Sequence, residues 1–145
     1  YPYQITFYSG LSILASTELV SPNFDVVTGA PAKLAFDEGF ELHFTPKYAG
    51  EFFDVPPRLR LLDAGGNFVS RDNSSGLHVA IRHNPTGKAR VGPKESLFVV
   101  ARQGLVSFNA ISIDTKGHNY TLIFTLYTYS VLEQRHIRTN VTLVS

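Results

Sequence analysis

The sequence predicts an all-β chain built as a sandwich, and three observations carry that prediction. Apolar and polar residues alternate in short runs, turn-forming residues punctuate those runs about every 8 to 12 positions, and no stretch shows the 3.6-residue apolar stripe of an amphipathic helix. The composition agrees: of 145 residues, 43% are hydrophobic and 17% charged, enough for one packed core. All the aromatic residues are Tyr and Phe, and 11 Gly and 8 Pro recur between the runs, which favours strands joined by turns.

Taken in chain order, residues 34–36 and 40–44 alternate as half-buried strands, and so do residues 58–62 (Arg-Leu-Arg-Leu-Leu). Residues 63–67 (Asp-Ala-Gly-Gly-Asn) then read as a turn. Residues 77–82 alternate again, and residues 97–101 form a short apolar run. Residues 105–113 read as one strand that turns Val106, Phe108, Ala110 to Ile111 and Ile113 inward, with one irregularity in the spacing. Residues 114–117 turn the chain into two longer strands, 120–127 and 137–144, separated by a polar bend at residues 133–136. The segment 84–93, with its Pro and Gly, reads as a loop.

The two ends of the chain resemble each other. Moving the first 28 residues forward by 117 places Tyr3 on Tyr120, Phe7 on Phe124, Asn23 on Asn140 and Val27 on Val144 without a gap. Ile5 with Leu122, Leu14 with Val131, Val20 with Ile137, Phe24 with Val141 and Val26 with Leu143 are conservative pairs. The expected organisation is therefore an N-terminal strand pair over residues 1–28, the end of a preceding repeat or a set of donor strands, followed by a sandwich domain over residues 29–145. A lone two-stranded hairpin is not stable in water. Tyr3, Ile5, Phe7, Leu14, Val20, Phe24 and Val26 are accordingly the candidate assembly residues.

Chemistry is harder to find. The chain contains no Cys, which excludes a disulfide framework, a thiolate zinc site and a Cys nucleophile. The five His residues are nowhere spaced as metal ligands on one strand face, no Ser lies in a Gly-x-Ser-x-Gly setting, and paired carboxylates give no signal. Asp63, Asn67, Asp72 and Asn73 are a weak candidate calcium cluster, against the plainer reading that Asp, Gly and Asn simply build a turn. Three sequons, at Asn73, Asn119 and Asn140, favour N-glycosylation and an extracellular or cell-surface location. Thr121, Thr125, Thr128, Ser130, Thr139 and Thr142 suggest a hydroxyl-bearing face beside two of them.

Net charge is +1, which argues against a general polyanion binder, and no apolar run reaches the length of a membrane span. The charge is uneven. Residues 1–72 carry five Lys and Arg against nine Asp and Glu, a net of −4, and residues 73–145 carry eight against three, a net of +5. Such halves suit head-to-tail contact. The basic stretch Arg82, Lys88, Arg90 and Lys94 is a candidate contact for acidic glycans.

Residues 29–36 (Gly-x-Pro-x-x-Leu-x-Phe), 61–69 with Asp63-Ala64-Gly65-Gly66-Asn67, 104–108, and 113–122 ending in Tyr120-Thr121-Leu122 follow one another in an order similar to filamin-like and bacterial-Ig-like tandem repeats. The resemblance spans residues 29–128. It implies an immunoglobulin-like Greek-key sandwich and a non-enzymatic extracellular role, structural or adhesive. The expected partners are identical or homologous repeat units in a head-to-tail polymer, with no nucleic acid, no membrane insertion and no cofactor beyond covalent glycans. A ligand-binding adhesion domain of a cell-surface receptor is the alternative. The segments 40–57 and 84–93 depart from the pattern of the repeats.

Overall fold

The computed structural model describes residues 2–8, 18–39 and 48–145, and their regular structure is all β apart from a single 3-10 turn at Lys94–Ser96. The expected strand 40–44, His43 and Leu14 lie outside the described residues. Among the described residues the first two strands, β1 (Thr6–Tyr8) and β2 (Glu18–Val20), pair only with each other. The remaining strands are β3 (Lys33–Phe36), β4 (Arg58–Leu62), β5 (Gly76–His83), β6 (Val91–Gly92), β7 (Phe98–Val100), β8 (Leu105–Ser107), β9 (Ser112–Ile113), β10 (Thr121–Ser130) and β11 (Arg135–Val144). They form a three-stranded sheet in the order β3-β4-β8, a four-stranded sheet in the order β11-β10-β5-β7, and the small pair β6-β9. All pairings are antiparallel.

The core follows from strand alternation. Leu34, Leu59, Leu61 and Val106 come from the three-stranded sheet, and Leu77, Val79, Leu122, Phe124 and Leu126 from the four-stranded one; all belong to one buried cluster. Phe108 and Ile111 join it from the segment after β8, and Val69 and Ala101 belong to it too. Phe124 meets Phe36 edge-on at 6.1 Å and Phe108 at 5.5 Å between ring centroids, so the aromatic centre joins both layers. The result is sandwich-like, with apolar side chains of two sheets interleaved between them.

Two expectations change. Residues 105–113 are not one strand: β8 pairs with β4 and β9 with β6, in different sheets. The irregular spacing between Phe108 and Ile111 marks the crossing, because both side chains reach the core only if the chain leaves the pleat between them. The polar bend also sits earlier, in a turn at residues 131–134 whose last residue, Gln134, has φ of 49°. β10 and β11 thereby lengthen to ten residues each.

The hydroxyl-bearing face does not hold together. Thr125 stands opposite Thr142 whereas Thr128 stands opposite Ile137, and positions three apart on one strand point to opposite faces. Thr139 turns back to donate to the Leu126 carbonyl at 2.9 Å, within a bulge that sets residues 139–141 of β11 against Leu126 alone.

Candidate functional site

The described part of the N-terminal segment is a two-stranded ribbon. Thr6, Phe7 and Tyr8 stand opposite Val20, Leu19 and Glu18. Tyr3 and Phe24 exchange backbone bonds of 2.8 and 3.1 Å, and their rings lie 6.2 Å apart. Ser21 locks the middle: its amide donates to the Ile5 carbonyl at 2.9 Å while its hydroxyl accepts from the Ile5 amide at 2.9 Å. These bonds close the inner side of the ribbon, and the alternate N–H and C=O groups of each strand face outward. The ribbon's apolar side chains are open to solvent: Tyr3 is 56% exposed, Phe7 57%, Leu19 68% and Val26 68%, with Ile5, Tyr8, Val20 and Phe24 exposed as well. Ile5, Phe7 and Leu19 share one face by register, an exposed apolar strip that no strand among the described residues covers.

The ribbon's root is held by Asp63. Its Oδ2 accepts from the Gly29 amide at 3.0 Å, and its Oδ1 accepts from the Asn67 amide at 2.8 Å. The Asn67 side-chain amide donates to both oxygens at 3.1 Å. Asp63 is only 5% exposed. The Gly29 amide, then the Asn67 backbone and side-chain amides, hold its carboxyl down to about 2 from 3.8. Strand geometry takes over at once, since the Ala32 amide donates to the Leu62 carbonyl at 2.8 Å. Between this clamp and Phe24, residues 25–28 are all exposed.

This arrangement gives a signed pH dependence. The folded value lies below the unfolded one, so the stabilisation is complete above about 3.8, falls as pH drops, and is gone below about 2. Asp63→Asn, which cannot ionise, is expected to be less stable than wild type at pH 5, with the gap closing between pH 4 and pH 2 in urea titrations. A gap of constant size across that range would refute the Asp63 clamp.

Asp72 does similar work next door. Its Oδ1 accepts from the Ser74 and Ser75 amides at 2.9 and 2.8 Å, and its Oδ2 from the Ser75 hydroxyl at 2.7 Å. The carboxylate oxygens of Asp63 and Asp72 in the weak calcium cluster are therefore engaged by backbone amides and by the Asn67 and Ser75 side chains, as a turn requires, and Asn67 serves as a side-chain donor. Among the described residues no three His, Cys, Asp or Glu converge as metal ligands. Asn73 accepts from the Gln103 amide at 2.8 Å through its side-chain oxygen. Asn73, Asn119 and Asn140 are all exposed, Asn119 at a φ of 60° and Asn140 in the β11 bulge.

The basic stretch is more ordered than a plain loop. Asn84 receives the Gly87 amide at 3.0 Å on its carbonyl and donates its side-chain amide to the Ala89 carbonyl at 2.8 Å, and β6 follows directly. Arg82, Lys88, Arg90 and Lys94 are exposed around it. A further feature, which no local pattern in the sequence signals, is the outward face of the four-stranded sheet. There Phe98, Tyr127, Tyr129 and His136 form a chain of edge-on ring contacts at 5.0 to 5.5 Å. His136 Nε2 lies 2.8 Å from the Ser74 carbonyl. Burial, and secondarily Arg138, hold His78 on the same face below its ordinary value.

Comparison of the chain with protein-family models, with curated proteins and with solved structures gives no match. No helix among the described residues is long and apolar enough to cross a membrane.

Proposed function

We propose that this chain is a non-enzymatic structural unit of an extracellular filament, stalk or surface coat, joined to its neighbours head-to-tail through the N-terminal ribbon. One observation carries the reading: a two-stranded ribbon, with eight exposed large apolar residues among the described residues from Tyr3 to Val26, precedes the sandwich and is rooted at Gly29. Water does not support such a ribbon alone, and a contact that does not close on itself propagates into a fibre. The strand orders β3-β4-β8 and β11-β10-β5-β7 support an immunoglobulin-like Greek-key sandwich as the repeating body. Exposed sequons at Asn73, Asn119 and Asn140 favour a glycosylated, extracellular setting. The second reading, a receptor adhesion domain, is favoured by the exposed cations around residues 84–93, but it leaves the ribbon without a role.

Deleting residues 1–28 tests the proposal. Among the described residues the buried cluster begins at Leu34, so the truncated chain keeps this core. It is expected to sediment as a monomer at concentrations where the full chain forms ordered oligomers or fibres under negative stain. Equal assembly by the two proteins would end the proposal.

A further inference from the structure

We propose that β7 is the acceptor edge: a second copy of this chain adds one strand of its N-terminal ribbon alongside Phe98–Val100. The inference rests on the assembly reading above and names the place where the donated strand seats.

Sheet edges in this molecule are treated unequally. β11 carries exposed Arg135 and Arg138, a bulge at residues 139–141 and the sequon residue Asn140, which are the standard guards against strand addition. β3 follows Pro31, begins at Lys33 and lies against β11. On β8, the outward amide and carbonyl of Leu105 are engaged by Arg102 at 3.0 and 2.8 Å. β7 has none of these guards. It reads Phe-Val-Val, without charge, Pro or bulge.

Its open backbone follows from the register. The Val79 amide donates to the Leu97 carbonyl at 2.9 Å and the Ala101 amide donates to the Ser75 carbonyl at 2.7 Å, while Val99 stands opposite Leu77. Leu97, Val99 and Ala101 therefore face β5, and the N–H and C=O groups of Phe98 and Val100 face outward. No partner for these groups is found among the described residues. The side chains beside them are apolar and accessible, Val100 at 40% and Phe98 at 36%.

The ribbon matches this edge. It supplies a short extended strand with apolar side chains and no host among the described residues, and residues 1–28 contain Glu18 and Asp25 but no Lys or Arg. The acceptor is flanked by exposed Lys94 and Arg102, with Glu95 the one carboxylate between them. Backbone bonds would supply affinity, and the apolar and charge complementarity would supply register.

Because the chain has no Cys, thiol trapping gives a clean test. Phe7→Cys and Val100→Cys proteins are mixed and oxidised, and a disulfide-linked pair is expected in at least tenfold excess over either protein alone. In parallel, Val100→Pro removes one outward donor without touching the bonds to β5. It is expected to weaken association about tenfold with the thermal transition unchanged, and Val100→Lys, which leaves the backbone intact, is expected to do the same. If a Phe7→Cys/Val100→Cys double variant closes mainly within one chain, the ribbon seats in cis and the proposal is overturned. If deletion of the ribbon abolishes assembly while both Val100 variants assemble normally and no mixed disulfide forms, assembly stands and the β7 edge is wrong. If neither ribbon deletion nor the Val100 variants change assembly, both readings fall together.

Discussion

Phe124→Ala is expected to cost about 3–5 kcal/mol of folding stability, read from the shift in urea or guanidinium midpoint at constant slope. Phe124 lies in the middle of β10 with no exposed surface. Its ring touches Phe36 of β3 on one side and Phe108, just beyond β8, on the other. Truncation removes the group that both sheets share, and neither can move in to fill the space without giving up its own register, so the cavity persists. The matched control is Phe7→Ala, where more than half the side chain is already in water; its effect is expected to stay within about 0.5 kcal/mol. A Phe124→Ala loss no larger than the control would mean that the two sheets do not share a core.

That contrast also shows what the sequence could say. Strands β3, β4, β5 and β10 are legible because each buries one face, and a buried face writes a period of two into the residues; β7 is legible only as a short apolar run. The break between β8 and β9 was legible only as a disturbed spacing. Nothing local announces that the chain changes sheets there. The Asp63 clamp was half legible: Asp-Ala-Gly-Gly-Asn states a turn, but the partner that makes it a root, the Gly29 amide, lies 34 residues away. The β7 edge could have been suspected from a five-residue run with neither charge nor Pro, yet its openness depends on strand order.

Ribbon pairing is a subtler case. Under the 117-residue offset that places Phe7 on Phe124 and Val26 on Leu143, Phe7 would oppose Val26, because Phe124 opposes Leu143. Phe7 instead opposes Leu19. β10 and β11 are held in register by the core beneath them, whereas the ribbon buries neither face, and register is weakly specified where no face is buried. Side-chain similarity between two segments therefore does not transmit their pairing, and a host surface would act on the ribbon's register as well as its stability.

Gly104→Ala is expected to lose about 3 kcal/mol, more than any exposed substitution in the same loops. Gly104 holds φ at 73°, and a Cβ there would sit 2.3 Å from the Val69 carbonyl oxygen. The obstacle is backbone, which cannot swing aside like a side chain. The contact exists because Gly104 knots three segments: its amide donates to the Asp72 carbonyl at 2.8 Å and its carbonyl accepts from the Leu61 amide at 2.9 Å. Relief would stretch the bond to β4 or push loop 69–75 outward, and β7 ends only four residues earlier. Gly66→Ala separates the two causes. Gly66 has φ of 88° but nothing within 4 Å of a Cβ, so it bears the conformational cost alone, about 1 kcal/mol. Thermal or denaturant unfolding of the two variants side by side measures the difference. Equal losses would show that loop 69–75 yields freely, and that the turn leading out of β7 is not anchored through Gly104.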